Sequence, residues 1–225
     1  MKVIGYCAEP LCIITELMEQ GSLYTLLHNT HAYLSPLTKI QMIRGITNGM
    51  MFIHGRKIAH RDIKSHNILV NSNNEVKITD FGISHQTQST MATFTQDGKG
   101  TPQWMSPEIL DYKSKHVNYF KADVYSFAIL MWEVFSEQVP YHEKEWNQFQ
   151  MINAIMEGVR PPTQALKDCP RKIVELMEKC WSTDPSARPN FTDIYPIVRS
   201  DLEWSVSPWR IPESLSSSFG SMRGT

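Results

Sequence analysis

The chain has 225 residues, 41% hydrophobic and 20% charged, enough to bury one globular core and leave a short tail. Its 22 Lys and Arg nearly balance 23 Asp and Glu, which excludes a globally basic nucleic-acid binder or a chain drawn by its net charge to an anionic membrane. No signal peptide or long apolar span is seen, and Cys7, Cys12, Cys169 and Cys180 lack CxxC spacing, so reduced thiols and a cytoplasmic location are the default expectation.

In chain order, two short apolar runs at 2–17, KVIGYC and LCIITEL, are separated by AEP and read as a two-stranded hairpin. MEQGSL breaks that pattern. Ser35 and Pro36 suit an N-cap and a first helical position. Ile40, Ile43, Ile46, Met50 and Ile53 follow at helical spacing, which predicts an amphipathic helix ending near Gly55. After the polar stretch AHRDIKSHN come NILV and EVKIT, two short strands joined by an NSNN turn. Residues 82–103 have no sustained periodicity and are crowded with Ser, Thr, Gln and Gly, as expected of a regulated loop.

DVYSFAILMWEVF at 123–135 is apolar nearly all round and predicts a helix buried within a helical domain. Further helices are expected at 145–157, at 171–181 with Ile173, Leu176, Met177, Cys180 and Trp181 on one stripe, and at 191–204, interrupted by Pro196. Residues 205–225 are Ser- and Pro-rich and read as a loose tail. HNTH brings His28 and His31 close together without further ligands, so a surface helix or loop is expected there, not a metal site.

Asp62, Lys64 and Asn67 interrupt an apolar run, and burying such groups is costly unless each finds a partner. HRDIKSHN at 60–67, DFG at 80–82 and GTPQWMSPE at 100–108 match H-R-D-x-x-x-x-N, D-F-G and A-P-E in order, with the hairpin between the first two. The sequence thereby resembles the eukaryotic protein-kinase catalytic domain over about residues 2–200. The resemblance implies an α+β, protein-kinase-like fold over 1–204, with an N-lobe remnant and hinge at about 1–23 and a mostly helical C-lobe at about 24–204. It also implies ATP and Mg2+ as cofactors, Mn2+ as an alternative ion, and a protein substrate, with no nucleic acid and no membrane segment.

In-line phosphoryl transfer mostly requires the metal-bound triphosphate and the nucleophilic hydroxyl to be held in register. By resemblance, Asp62 orients the hydroxyl and accepts its proton, Lys64 neutralises charge on the phosphoryl group, and Thr101 bridges the two. Asn67 and Asp80 would hold the ions. IITELMEQGSL is similar to the strand and hinge of an adenine pocket. This assigns Thr15 to the gatekeeper position, the Glu16 carbonyl and Met18 amide to adenine, and Leu69 to the floor. His60 and Phe81, next to Gly82, resemble members of a hydrophobic spine. Glu108 and Arg188 resemble a buried ion pair, and Asp123 the helix aspartate that braces the catalytic loop.

Lys64 and Thr101 resemble serine/threonine kinases, whereas WMSPE and KCWSTDPSARPNF look tyrosine-kinase-like. The combination is similar to the tyrosine-kinase-like group, which favours Ser/Thr hydroxyls and leaves dual specificity open. Ser106 departs from the Ala of A-P-E. Arg61 precedes the catalytic aspartate, so a phosphate on Thr87, Ser89, Thr90, Thr93 or Thr95, added by an upstream kinase or by self-phosphorylation, is expected to pair with it and order the loop. No Gly-rich loop or V-A-I-K lysine occurs in these 225 residues. The expectation is therefore part of a longer kinase, weakly active by itself, with a non-catalytic scaffold or a partner-completed lobe as alternatives.

Overall fold

The computed structural model describes residues 1–30, 32–80, 102–114, 116–166 and 168–200. Strands β1 (Val3–Ala8) and β2 (Leu11–Thr15) form the expected antiparallel hairpin, turning at Glu9–Pro10 with Tyr6 opposite Ile13 and Cys7 opposite Cys12. Helices α1 (Leu23–His28) and α2 (Pro36–Gly55) follow, then the antiparallel pair β3 (Ile68–Val70) and β4 (Val76–Ile78). Beyond residue 102 come α3 (Pro107–Leu110), α4 (Tyr119–Ser136), α5 (Gln148–Met156), α6 (Arg171–Cys180) and α7 (Phe191–Arg199). The described residues are thus about half helical, with two small sheets, and no described helix is long and apolar enough to cross a membrane.

The core forms around α4, whose Val124, Phe127, Ala128, Ile129, Leu130, Met131, Trp132 and Val134 are all buried. Such all-round burial requires neighbours on every side. The stripe Ile40, Ile43, Ile46 and Met50 of α2 packs into the same cluster, α6 packs on α4, and α7 packs on α2. Ser35 caps α2 by accepting the Thr38 N–H at 3.1 Å, and Pro36 opens it as read from the sequence. Strand β4 lies close against α2 because Gly45 and Gly49 carry no side chain. A Cβ at these positions would fall 2.6 Å from Val76 Cγ2 and 2.8 Å from Ile78 Cδ1.

Several elements differ from the sequence reading. Helix α4 begins at Tyr119, ahead of the expected Asp123, because Asn118 accepts the Phe120 and Lys121 N–H groups as a side-chain cap. Helix α7 runs through Pro196; the missing hydrogen bond would have gone to the carbonyl of exposed Thr192, which solvent can reach. Residues 201–204 and the 205–225 tail lie outside the described residues.

The segment after β2 is pinned to the second sheet. The Gln20 N–H donates to the Val70 carbonyl at 3.1 Å and the Val70 N–H to the Gly21 carbonyl at 2.9 Å. The Gln20 side-chain amide reaches Asn74 Oδ1 at 3.0 Å. Residues 20–22 therefore run alongside β3 as an added edge.

Arg188 and Glu108 join α3 to the turn before α7. Arg188 Nη1 meets Glu108 Oε1 at 2.6 Å and Nη2 meets Oε2 at 2.8 Å. The guanidinium also donates to the Ser182 and Lys121 carbonyls at 2.8 and 2.9 Å. Its side chain is 0% exposed and that of Glu108 12%. A buried pair contributes little net stability when intact, but removing one partner strands a charge. Arg188→Ala should therefore lower unfolding free energy by about 3–5 kcal/mol, read as a fall in the urea midpoint at unchanged slope.

Candidate active site

The loop between α2 and β3 is held from below by Asp123, a buried carboxylate on α4. Its Oδ2 accepts the His60 N–H at 2.8 Å and its Oδ1 the Arg61 N–H at 2.7 Å. His54 at the end of α2 donates Nε2–H to the same Oδ2 at 2.9 Å. These charge-assisted bonds keep Arg61 at φ 71°, a left-handed conformation that a side-chain-bearing residue rarely adopts without external support. Asp80 sits at φ 64°, so two positive-φ residues flank the β3–β4 hairpin.

His60 is buried between these points. The Asp62 N–H donates to its Nδ1 at 3.3 Å, which leaves the ring proton on Nε2, and Nε2 donates to the Thr79 carbonyl at 2.9 Å. The histidine thus ties Asp62 to the residue before Asp80. A second tie is the Thr79 N–H donating to the Asn67 carbonyl at 3.0 Å.

Asp62, Lys64 and Asn67 converge. Lys64 Nζ lies 2.8 Å from Asp62 Oδ2, and Asn67 Nδ2 donates to that same oxygen and to the Asp62 carbonyl, both at 2.8 Å. The side chains of Lys64 and Asp62 are 20% and 15% exposed, open enough to meet a ligand and enclosed enough to strengthen the pairing. The Asn67 amide nitrogen is committed to Asp62, which leaves its Oδ1 as the atom able to accept or ligate. With the exposed carboxylate of Asp80 it offers two hard oxygen donors of the kind Mg2+ takes. Among the described residues no cluster of three or more His, Cys, Asp or Glu side chains is placed to hold a metal.

Thr15 ends β2 half-buried, Met18 is buried, and Leu69 lies half-buried on β3 opposite Lys77 and bridged to Ser22. The Glu16 N–H donates to the Lys2 carbonyl and the Met18 carbonyl accepts from Gly21, both at 3.0 Å. These bonds engage neither the Glu16 carbonyl nor the Met18 N–H. Phe81, Gly82, Thr87, Ser89, Thr90, Thr93, Thr95 and Thr101 lie outside the described residues. Arg61 rests its guanidinium carbon 4.1 Å from the centre of the Tyr119 ring, with Nε buried and unpartnered among the described residues.

Sequence reasoning missed Glu133. This fully buried α4 carboxylate accepts Ser65 Oγ–H at 2.6 Å and His28 Nε2–H at 2.9 Å on Oε1, and Trp104 Nε1–H at 2.9 Å on Oε2. It joins the catalytic-type loop, α1 and the segment entering α3. The available signal was an acidic residue in the apolar stretch AILMWEVF, which needs donors wherever it is buried. His28 was expected on a surface; its side chain is 10% exposed because it serves this carboxylate. His31 lies outside the described residues.

The protein tyrosine and serine/threonine kinase family model matches residues 1–198. Among curated proteins, serine/threonine-protein kinase STY17 of Arabidopsis thaliana is 35% identical over 197 residues, 86% of this chain and 33% of that protein. Probable serine/threonine-protein kinase drkB of Dictyostelium discoideum is 40% identical over 205 residues, 89% of this chain and 28% of that protein. Dual specificity protein kinase pyk3 of the same organism is 36% identical over 192 residues, 85% of this chain and 14% of that protein. The chain therefore spans a third or less of these relatives.

Two outcomes follow from the site's electrostatics. In Asp123→Asn one of the three donors meets an NH2 group in place of an oxygen, so the variant should lose about 1.5–3 kcal/mol in urea unfolding. His66 stacks on Tyr24 at 3.9 Å, and desolvation, followed by the nearby Lys64 charge, lowers its pKa from 6.5. A depressed folded pKa means that the unfolded chain binds the proton more readily. Its contribution is present above pH 6.5 and is lost as pH falls through the folded value. An NMR titration should place the His66 midpoint below 6.5.

Proposed function

The chain belongs to the protein tyrosine and serine/threonine kinase family, and from that membership we propose that it carries the catalytic loop of an ATP-dependent kinase acting on Ser/Thr hydroxyls of protein substrates. The observation that carries this reading is the convergence of Asp62, Lys64 and Asn67 on one carboxylate oxygen, above a loop fixed by Asp123. ATP with Mg2+ supplies the electrophilic γ-phosphoryl group when bound.

Both described donors to the Asp62 carboxylate, Lys64 Nζ and Asn67 Nδ2, meet Oδ2, which directs Oδ1 to the substrate hydroxyl. Asp62 aligns that hydroxyl and accepts its proton as the oxygen attacks. Lys64 moves between the carboxylate and the transferring group and offsets negative charge there. Asn67 Oδ1 and the Asp80 carboxylate would hold the ion; Asn67 also keeps Asp62 from rotating, since its amide spans the aspartate's backbone and side chain. Met18, which is buried, and Thr15 and Leu69, which are half-buried, would line the adenine base beside the Glu16 carbonyl and Met18 N–H.

The Ser/Thr preference draws on Lys64 two residues beyond Asp62 and on the relatives, two of which are named as serine/threonine kinases and one as dual specificity. Arg61, laid on Tyr119 at the rim of this loop, would receive a phosphate carried by Thr87, Ser89, Thr90, Thr93 or Thr95, whether from an upstream kinase or from the protein itself.

Phosphoryl transfer from Mg-ATP to Ser, Thr and Tyr peptides, using the protein purified from its own cells, tests the reading. Transfer to Ser and Thr peptides is expected, and Asp62→Asn should lower it by about 10²–10⁴-fold with Mg-ATP binding retained. A native protein that binds no Mg-ATP, or an Asp62→Asn variant with undiminished transfer, would overturn it in favour of a scaffold.

A further inference from the structure

The β1–β2 hairpin is exposed on both faces: Tyr6, Leu11 and Ile13 meet solvent on one, with Leu11 87% exposed, and Ile14 and Cys12 on the other, with Ile14 48% exposed. Strand register is ordinarily fixed by burial of one face, and a hairpin with neither face covered has little to prevent slippage. The pairing is already irregular between Val3 and Gly5. Two cysteines sit directly opposite one another near the tip, Cys7 on β1 and Cys12 on β2. Both are thiols; Cys12 is exposed, and Cys7, partly exposed, donates Sγ–H to the Glu9 carbonyl at 3.2 Å.

Directly opposed residues of an antiparallel pair project to the same face with Cα atoms about 4.5–5.5 Å apart. A disulfide needs about 4.4–6.8 Å. From this juxtaposition we infer that Cys7 and Cys12 form a reversible cross-strand disulfide on exposure to a disulfide oxidant of the glutathione type, which locks the hairpin in its present register. The site is independent of the catalytic reading.

The step balances by two exchanges. The Cys12 thiolate, the more exposed of the two, attacks one sulfur of glutathione disulfide; the glutathione S–S bond breaks, one glutathione thiolate leaves, and a mixed disulfide forms on Cys12. The Cys7 thiolate then attacks Cys12 Sγ, forming the intramolecular bond and expelling the second glutathione thiolate. The protein pair loses two electrons, glutathione disulfide gains them, and the two thiol protons pass to the departing thiolates. The other cysteines serve as internal controls. Cys180 is buried and Cys169 half-buried, and desolvation pushes both thiols up to about 12.

The sequence makes the readout simple. Neither Lys nor Arg occurs between Lys2 and Lys39, so trypsin leaves Cys7 and Cys12 in one peptide, apart from those holding Cys169 and Cys180. The full chain is equilibrated in glutathione buffers of increasing oxidised fraction, folded and in urea, then quenched with N-ethylmaleimide under denaturing conditions and digested. In the folded chain the 3–39 peptide should become two hydrogens lighter and unlabelled, reversibly with dithiothreitol, while Cys169 and Cys180 stay labelled. The folded midpoint should lie at an oxidised-to-reduced ratio at least ~10-fold lower than in urea, since the hairpin pre-aligns the two sulfurs. Cys7→Ser should leave Cys12 labelled or glutathionylated. A folded chain in which the cysteines take only separate glutathione adducts, a disulfide between two copies, or equal midpoints with and without urea would each overturn the proposal.

Discussion

One buried carboxylate fixes the backbone of the whole site. Asp123 takes the N–H groups of His60 and Arg61 on its two oxygens, and without these bonds nothing evident would hold Arg61 in a left-handed conformation. A strained φ of this kind persists only when its surroundings over-determine it. Here the surroundings are a helix buried on all sides, so the loop inherits the rigidity of the core. Asp62 is then aimed by a backbone that is already set in the absence of any ligand.

Glu133 does for the periphery what Asp123 does for the loop. Through Ser65, His28 and Trp104 it connects the loop to α1 and to the segment leading into α3. Both carboxylates lie on α4, so one helix organises both the polar and the apolar contacts of the domain. Their burial would be prohibitive without these donors. The Glu108–Arg188 pair extends the same logic to the α3–α7 corner, where Arg188 gathers carbonyls as well as a carboxylate. The kinase fold of this chain is therefore a helical core from which a few fully paired charges reach out to hold loops.

Much of this was legible beforehand, for definite reasons. The α2 pattern, Ser35–Pro36 followed by isoleucines at helical spacing, combines a cap with a periodicity, and both act locally. The motif residues could be read as a set because their order along the chain is itself information. Helix α1 was not legible: it is six residues long, too short for a periodic signal. It forms because Ser22 caps it and Leu23, Leu26 and Leu27 find the core. Glu133 escaped because its donors come from residues 28, 65 and 104, and no local pattern announces a contact across such separations. The Cys7–Cys12 opposition needed the strand register, which the placement of Glu9–Pro10 as the turn decides.

The claim that the core positions the catalytic loop in advance of nucleotide and substrate is tested most directly by native-state hydrogen exchange of the His60 and Arg61 amides in the ligand-free protein. If Asp123 holds them as described, both should exchange only through the opening that unfolds α4, with protection matching that of its central amides. Exchange of these two amides through local fluctuation, with α4 still fully protected, would contradict the account and leave the arrangement of Asp62, Lys64 and Asn67 to be induced by ligand.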